Sequence, residues 1–309
     1  MAPGARKGHF EPMKRSLPLA RAGFVASAAL ALLLSAGAAH AAMGERDVAR
    51  TVNFGGHCAR CELSGRKLIG ASFTSAQFEG ATLIGADLRG AELMGSNFSR
   101  SDFTRADLRG AEMVGSVFAG ALFVNARLDG VEAPGSIFSR ANLTSANLTG
   151  AILPTTNFVG ATLARTIFAE AELTRANFSR AVAPRVNFAR ARMSFSTLAG
   201  GAFDNGNFRG TRLDSARAKG ASFRGADFQG AILRGADLRG ADLSTARHLT
   251  QSQVSLACSD SSTRLPSGLK PRECSSRMLM MSVPPAPPAA PAPPPAPRYI
   301  YAQDSHQVR

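Results

Sequence analysis

Tryptophan is absent from this chain of 309 residues, tyrosine occurs twice and histidine only five times. So few histidines leave little material for general acid–base chemistry. Beyond the first 41 residues only His57, His248 and His306 remain, none near a second recognisable catalytic group in sequence. A nucleophile elbow and a phosphate-cradling glycine loop are also missing. The cysteines number only four, Cys58, Cys61, Cys258 and Cys274. No apolar run is long enough to span a bilayer comfortably. These absences argue against an enzyme and against an integral membrane protein, and no residue is assigned a catalytic, cofactor-binding or metal-binding role. What is plentiful is phenylalanine (19), glycine (30) and positive charge, at a formal net +14.

Part of that charge is local. Arg6, Lys7, Lys14, Arg15 and Arg21 stand against Glu11, followed by an apolar run from Phe24 to Ala36 and then small residues. Ala39-His40-Ala41 fits the small-residue cleavage pattern of a secretory signal. Residues 1–41 are therefore expected to be a signal peptide and residues 42–57 a lead-in, with a mature chain still basic at about +10. Met13 offers a second possible start, an uncleaved anchor is the alternative, and the lack of an Arg-Arg pair weakens a twin-arginine reading.

A five-residue period then takes over. From Ala81 the chain reads ATLIG, ADLRG, AELMG, SNFSR, SDFTR, ADLRG, and the frame holds to Ala246. Every fifth residue is Leu, Phe or Met, with Ala133, Ala183 and Ala218 as exceptions, and a small residue stands two positions earlier. This A-(D/N)-(L/F)-x-x pattern, continued over residues 58–247, resembles the pentapeptide-repeat family. The resemblance implies an all-β fold, a right-handed quadrilateral β-helix, with four units per coil and the central and small residues pointing inward. Periodicity supports four units per coil on its own. Every twentieth residue gives one Phe column, Phe78, Phe98, Phe118, Phe138, Phe158 and Phe178. A second runs Leu88, Leu108, Leu128, Leu148, then Phe168, Phe188, Phe208, Phe228. Neither a helix nor a flat strand has a period of five. About nine coils at ~4.8 Å would extend on the order of 43 Å, with two open ends that need caps.

Cys58 and Cys61 fall on inward phases beside His57. A metal or thiol-exchange site, a cap disulfide, or two small buried side chains all remain open; a haem-attachment motif is excluded because Glu62 follows Cys61. After Ala246 the frame breaks, and Thr250 can cap a short helix over roughly residues 251–258 within a cap at 248–275. The stretch LTQSQVSLACSDSSTRLPSGLKPREC resembles a C-terminal cap of exported family members, and with it goes an expected Cys258–Cys274 disulfide. Residues 276–309 are a Pro-rich tail, nearly pure Pro and Ala from Pro284 to Pro297, expected to be disordered or extended polyproline.

On the surface, Glu92, Glu112 and Glu132 share one outward column, while Arg100, Arg140 and Arg180 recur every second coil of another. Met94, Val114, Pro134 and Pro154, with Val117 and Ile137 around one corner, form a candidate protein-contact patch. The best-known family mechanism, mimicry of double-stranded DNA by acidic members that protect gyrase, is not expected of a basic, exported chain. No nucleic-acid partner is expected, and no cofactor. The reading is a non-enzymatic structural or protein-interaction module, periplasmic or secreted. It would bind an unidentified protein or itself, with peripheral envelope contact possible. A Cys58–Cys61 metal or thiol-exchange role is the alternative.

Export is directly measurable. The full chain is expected in the periplasmic or secreted fraction on cell fractionation, and a chain lacking residues 2–41 in the cytoplasm. Equal distribution of the two would remove the signal-peptide assignment.

Overall fold

The computed structural model describes residues 56–273. The expected signal peptide, nearly all of the lead-in, Cys274 and the Pro-rich tail lie outside them. Among the described residues no helix is long and apolar enough to cross a membrane.

The five-residue unit is a short strand plus a corner. Residues 96–100 illustrate it. Ser96 and Phe98 point inward and are fully buried, while Asn97 between them points outward. That alternation is the ordinary period of two in a strand. Ser99 and Arg100 then turn the chain, and the Ser101 N–H donates to the Phe98 carbonyl at 3.2 Å. Four such turns bring the chain back over itself, so Asn97 forms a parallel bridge with Val117. Two hydrogen bonds define it: the Phe98 N–H donates to the Val117 carbonyl, and the Val117 N–H to the Ser96 carbonyl, each at 2.8 Å. A third, from the Arg100 N–H to the Ala119 carbonyl at 2.9 Å, stitches the corner. The same parallel pairing at twenty-residue spacing runs from His57–Gln77 to Asp227–Arg247 without a break.

From Arg60 to Gly240 the third position of each turn has a positive φ, near 60°, which glycine adopts without a side-chain penalty. Not every corner uses it. From Arg165 through Glu170, Arg175, Arg180, Arg185 and Arg190 to Phe195, seven successive corners are left-handed without glycine. Each costs roughly 1 kcal/mol relative to glycine. They persist because the hydrogen bonds on either side of every corner fix the backbone.

The core is a stack of side chains in columns. Phe98, Phe118, Phe138, Phe158 and Phe178 follow one another at centroid distances of 5.8, 5.0, 5.2 and 4.9 Å with nearly parallel rings. These spacings are close to the separation of paired strands, so the backbone ladder sets the ring stacking. Where the column of Phe168 and Phe188 begins, rings from the two columns meet edge to face, as Phe158 and Phe168 do at 5.6 Å. Edge-to-face contact brings the positive ring edge to the negative face.

The small inward position is not always alanine, and several of the hydroxyl-bearing exceptions share one hydrogen bond, Ser196 being a buried hydroxyl without a partner. The hydroxyl of Ser101 donates to the Phe78 carbonyl at 2.8 Å, and those of Thr166 and Thr211 to Leu143 and Phe188 at 2.8 Å. Each reaches the coil before its own. A buried hydroxyl with such a partner escapes the penalty of an unsatisfied polar group.

The C-terminal end changes register. Helix α1, Gln251–Leu256, is capped by Thr250 in a capping box with Gln253. The Gln253 amide also donates to the Phe228 and Ala231 carbonyls at 2.9 and 2.8 Å, satisfying acceptors of the last coils. The helix is two residues shorter than the expected span to Cys258. It stops because Cys258 instead bridges Asp237 and Arg264 bridges Asp242. The cap thus continues two edges of the ladder with steps of 21 and 22 residues. Val254 and Ala257 are buried beneath it.

Truncating a column ring tests the stacked core. Phe138→Ala is expected to destabilise by about 3–5 kcal/mol, read as a lower midpoint in urea unfolding followed by circular dichroism.

Candidate interaction surface

With the interior occupied by Leu, Phe and Ala columns, the chemistry lies on the outward bridge positions, the corners and the residue before each corner. Along one corner column arginine does more than carry charge. Arg60, Arg100, Arg140 and Arg180 alternate with Gly80, Gly120, Gly160 and Gly200 along one corner. A side-chain carbon built on Gly80 would stand 3.5 Å from the Arg60 Cγ, and one on Gly120 3.8 Å from that of Arg100. The arginine stem lies over the glycine of the next coil, covering backbone with methylenes while its head stays in water. That is the physical content of the every-second-coil arginine column.

Charge divides unevenly along the chain. Residues 56–150 contain nine Lys and Arg and nine Asp and Glu, whereas residues 151–250 contain fourteen and seven. In the ADLRG units the charges cancel locally. Arg89 binds Asp87 through two hydrogen bonds of 2.7 and 2.6 Å, and Arg109 holds Asp107 with bonds of 2.8 and 2.7 Å. These arginine hydrogen bonds hold both carboxylates below the usual range and raise their guanidinium partners. Arg175, Arg180, Arg185 and Arg192 have no carboxylate within ion-pair distance among the described residues.

One face concentrates the contrast. Its outward bridges run Ser72, Glu92, Glu112, Glu132, Ile152, Glu172, Arg192, Arg212 and Ile232. Glutamates stack directly on glutamates at one end and arginine on arginine at the other. The glutamate stretch was legible from spacing; the arginines of the same column were not recognised, although the same count by twenty reaches them.

The candidate contact residues lie beside this face. Val114 is 40% exposed, while Met94, Pro134, Pro154, Val117 and Ile137 are half-buried. Other exposed apolar side chains, among them Leu122, Ile167 and Val182, occupy different faces. Phe195 is 39% exposed on the corner next to the charged column.

Cys58 and Cys61 have their Cα atoms 5.5 Å apart, inside the range that a disulfide requires. His57 beside them is exposed, and among the described residues no group of three or more His, Cys, Asp or Glu is arranged to hold a metal ion. Cys258 is buried and bonded, and its expected partner Cys274 lies outside the described residues.

Near the cap, the His248 Nδ1 is 2.9 Å from an Asp227 carboxylate oxygen, a pairing the sequence did not disclose because 21 residues separate them. They sit by a shallow cleft lined by Gln229, Gly230, Ala231, Thr250 and Gln253. No hydroxyl or thiol is hydrogen-bonded to the other ring nitrogen among the described residues.

The family model for pentapeptide repeats matches in eight copies within residues 61–244. No curated protein matches the chain. Three solved structures show the same kind of repeat. HetL, a pentapeptide repeat protein involved in heterocyst differentiation regulation from the cyanobacterium Nostoc sp. strain PCC 7120, is 30% identical, with a TM-score of 0.43 over 65% of this chain and 86% of its own. QnrB1, a plasmid-mediated fluoroquinolone resistance protein, is 20% identical, with a TM-score of 0.31 over 67% of this chain and 93% of its own. Rfr23, from the cyanobacterium Cyanothece 51142, is 22% identical, with a TM-score of 0.27 over 50% and 90%.

The cap carries a testable acid sensitivity. The Asp260 carboxylate accepts from the Ser262 hydroxyl at 2.7 Å, and also from the Gly240 N–H and the Thr263 hydroxyl. Led by the Ser262 hydroxyl, these bonds hold it down at about 2, against an ordinary value of 3.8. A depressed folded-state value stabilises above the unfolded value and is lost as pH falls through the folded one. Melting temperature is therefore expected to drop between pH 4 and pH 2. Asp260→Asn should lower it at neutral pH and make that drop shallower.

Proposed function

Because this chain belongs to the pentapeptide-repeat family, we propose that it is a non-enzymatic scaffold or protein-interaction module of the cell envelope, exported by residues 1–41. One observation carries the reading: the bridge ladder is unbroken over the repeat, so the outward columns are flat, regular rows. Binding of small molecules usually calls for a concave site with convergent polar groups, whereas a flat row of side chains suits a protein surface. The family's right-handed β-helix supplies such rows as a matter of geometry.

The cysteines fit this reading as staples. The 5.5 Å separation of Cys58 and Cys61 supports a disulfide closing the first coil, and an oxidising compartment would maintain it. The Cys258–Cys274 pairing would do the same for the other end. Both ends of a solenoid expose backbone and core that neighbouring coils cover elsewhere, so staples belong there. A metal-binding or thiol-exchange role of the Cys58–Cys61 pair is the second reading, favoured by its proximity to His57. Topoisomerase binding by DNA mimicry is not adopted: an excess of seven positive charges over residues 151–250 opposes it.

Affinity capture with the mature chain from native envelope extract is expected to enrich a specific protein. Absence of any enriched protein, across detergents and crosslinkers, would remove the interaction reading. Thiol titration and metal analysis on periplasmic material separate the two cysteine roles. Oxidised, metal-free cysteines support staples, and bound metal or titratable Cys58 and Cys61 thiols support the alternative.

A further inference from the structure

The charged face described above holds two ladders of opposite sign that this chain neutralises only in part, through Asp214 beside Arg212 and Glu172 on the rung next to Arg192. Glu92, Glu112 and Glu132 are successive rungs, and Arg192 and Arg212 are successive rungs of the same column. Like charges placed directly opposite on neighbouring strands repel. Among the described residues the three glutamates and Arg192 have no ion-pair partner, and Arg212 reaches only Asp214, at 3.6 Å. The ladders cannot relieve one another within one molecule. Ile152 and Glu172 lie between them, and the three coil steps from Glu132 to Arg192 amount to roughly 14 Å.

A second copy can relieve both at once. Take a two-fold axis lying in the face, perpendicular to the solenoid axis, midway between rungs 152 and 172. It sets Glu112 opposite Arg212 and Glu132 opposite Arg192, each pair occurring twice by symmetry. Within this column no like charges meet, since Glu92 then faces Ile232 and Ile152 faces Glu172; on the flanking corner Arg109 comes opposite Arg209, each already paired within its own chain to Asp107 and Asp227. Neighbouring registers fail this condition. Moving the axis to rung 152 sets Glu132 against Glu172, and moving it to rung 172 sets Glu172 against itself.

The corner beside the face is compatible with the same register, although Gly115, which faces Phe195 when the axis moves to rung 152, is just as open, so the charges alone choose between the two. A rotation of this kind keeps each column opposite its own counterpart. It brings the Phe195 corner onto Pro134 and Gly135 of the second copy, beside the apolar column that includes Val114. Phe195 is a bulky side chain at φ 61°, a conformation that aromatic residues rarely hold, and it is 39% exposed. Gly135 has open space where a side chain would stand, its nearest neighbour being the Thr155 hydroxyl at 4.0 Å. In the register that the charges select, the half-exposed Phe195 ring meets a corner with room for it.

We propose that this face pairs two copies of the chain antiparallel, with Glu112–Arg212 and Glu132–Arg192 as its ion pairs and Phe195 packed over Pro134–Gly135. The proposal rests on the interaction reading above and names one partner for it, leaving the other three faces open. The strip spans about 35 Å by about 10 Å, an area below that of standard specific interfaces, so the pairing is proposed as a weak, transient one. Association is therefore expected to be weak, in the micromolar range, and sensitive to salt.

Sedimentation equilibrium of the mature chain at low ionic strength tests it. The wild-type chain is expected to dimerise, and Glu112→Arg or Arg212→Glu alone to weaken dimerisation at least tenfold. Both substitutions in one chain should restore it, as should an equimolar mixture of the two single variants, because each then meets its opposite charge. Glu92→Arg, facing Ile232, should leave it within about twofold. These positions point outward, and circular dichroism checks that every variant is folded. A wild-type chain that stays monomeric at high concentration, single variants that dimerise normally, or a double variant that fails to recover would each overturn the proposal. If the monomer still captures an envelope protein, only the pairing falls and the interaction reading stands.

Discussion

Each bridge in the repeat joins a residue to the one twenty positions further on, and the rest of the structure depends on that hydrogen-bonded register. The parallel ladder fixes the coil rise, and the rise fixes the stacking distance of the phenylalanine rings. It also holds seven successive non-glycine corners in a left-handed conformation that they would not choose alone. Any insertion of one residue would move inward side chains outward, and the repeat region contains none. The first departure comes at the cap, where steps of 21 and 22 residues coincide with the insertion of a helix. There the helix and the Asp260 hydrogen bonds take over the task of holding the last coil.

The same register decides what the surface can be. Side chains on one outward column are copied at strand spacing, so any charge repeated in the sequence becomes a ladder of like charges. Some of these are neutralised within a single repeat, as Asp87 with Arg89. Others are left for a partner to meet. A surface built this way discriminates by the order of charges along a line, and a pocket plays no part in it. Stability and recognition therefore draw on different positions: the first and third residues of each unit make the core, while the second, fourth and fifth face the outside.

Much of this was legible in the sequence because the period is rigid. Counting by five locates the inward residues, and counting by twenty places Phe78 through Phe178 in one column. What failed to show were contacts between side chains of different phase. The Arg60 stem over Gly80 depends on the direction of a left-handed corner, which spacing does not encode. His248 meets Asp227 because the chain leaves the repeat there, and the twenty-residue rule no longer applies. The helix end at Leu256 was missed for the same reason: Cys258 joins the ladder, and no local signal marks it.

The alternation of arginine and glycine gives one corner a longer period than the fold itself requires. Phe-Ser-Arg recurs at residues 98–100, 138–140 and 178–180, while the intervening coils end in glycine at Gly120, Gly160 and Gly200. A period of forty residues keeps every one of these arginines above a glycine. A period of twenty would set arginine on arginine in adjacent coils and lose the cover that each stem provides. The structural repeat of this corner is thus a pair of coils, although the folding unit is five residues.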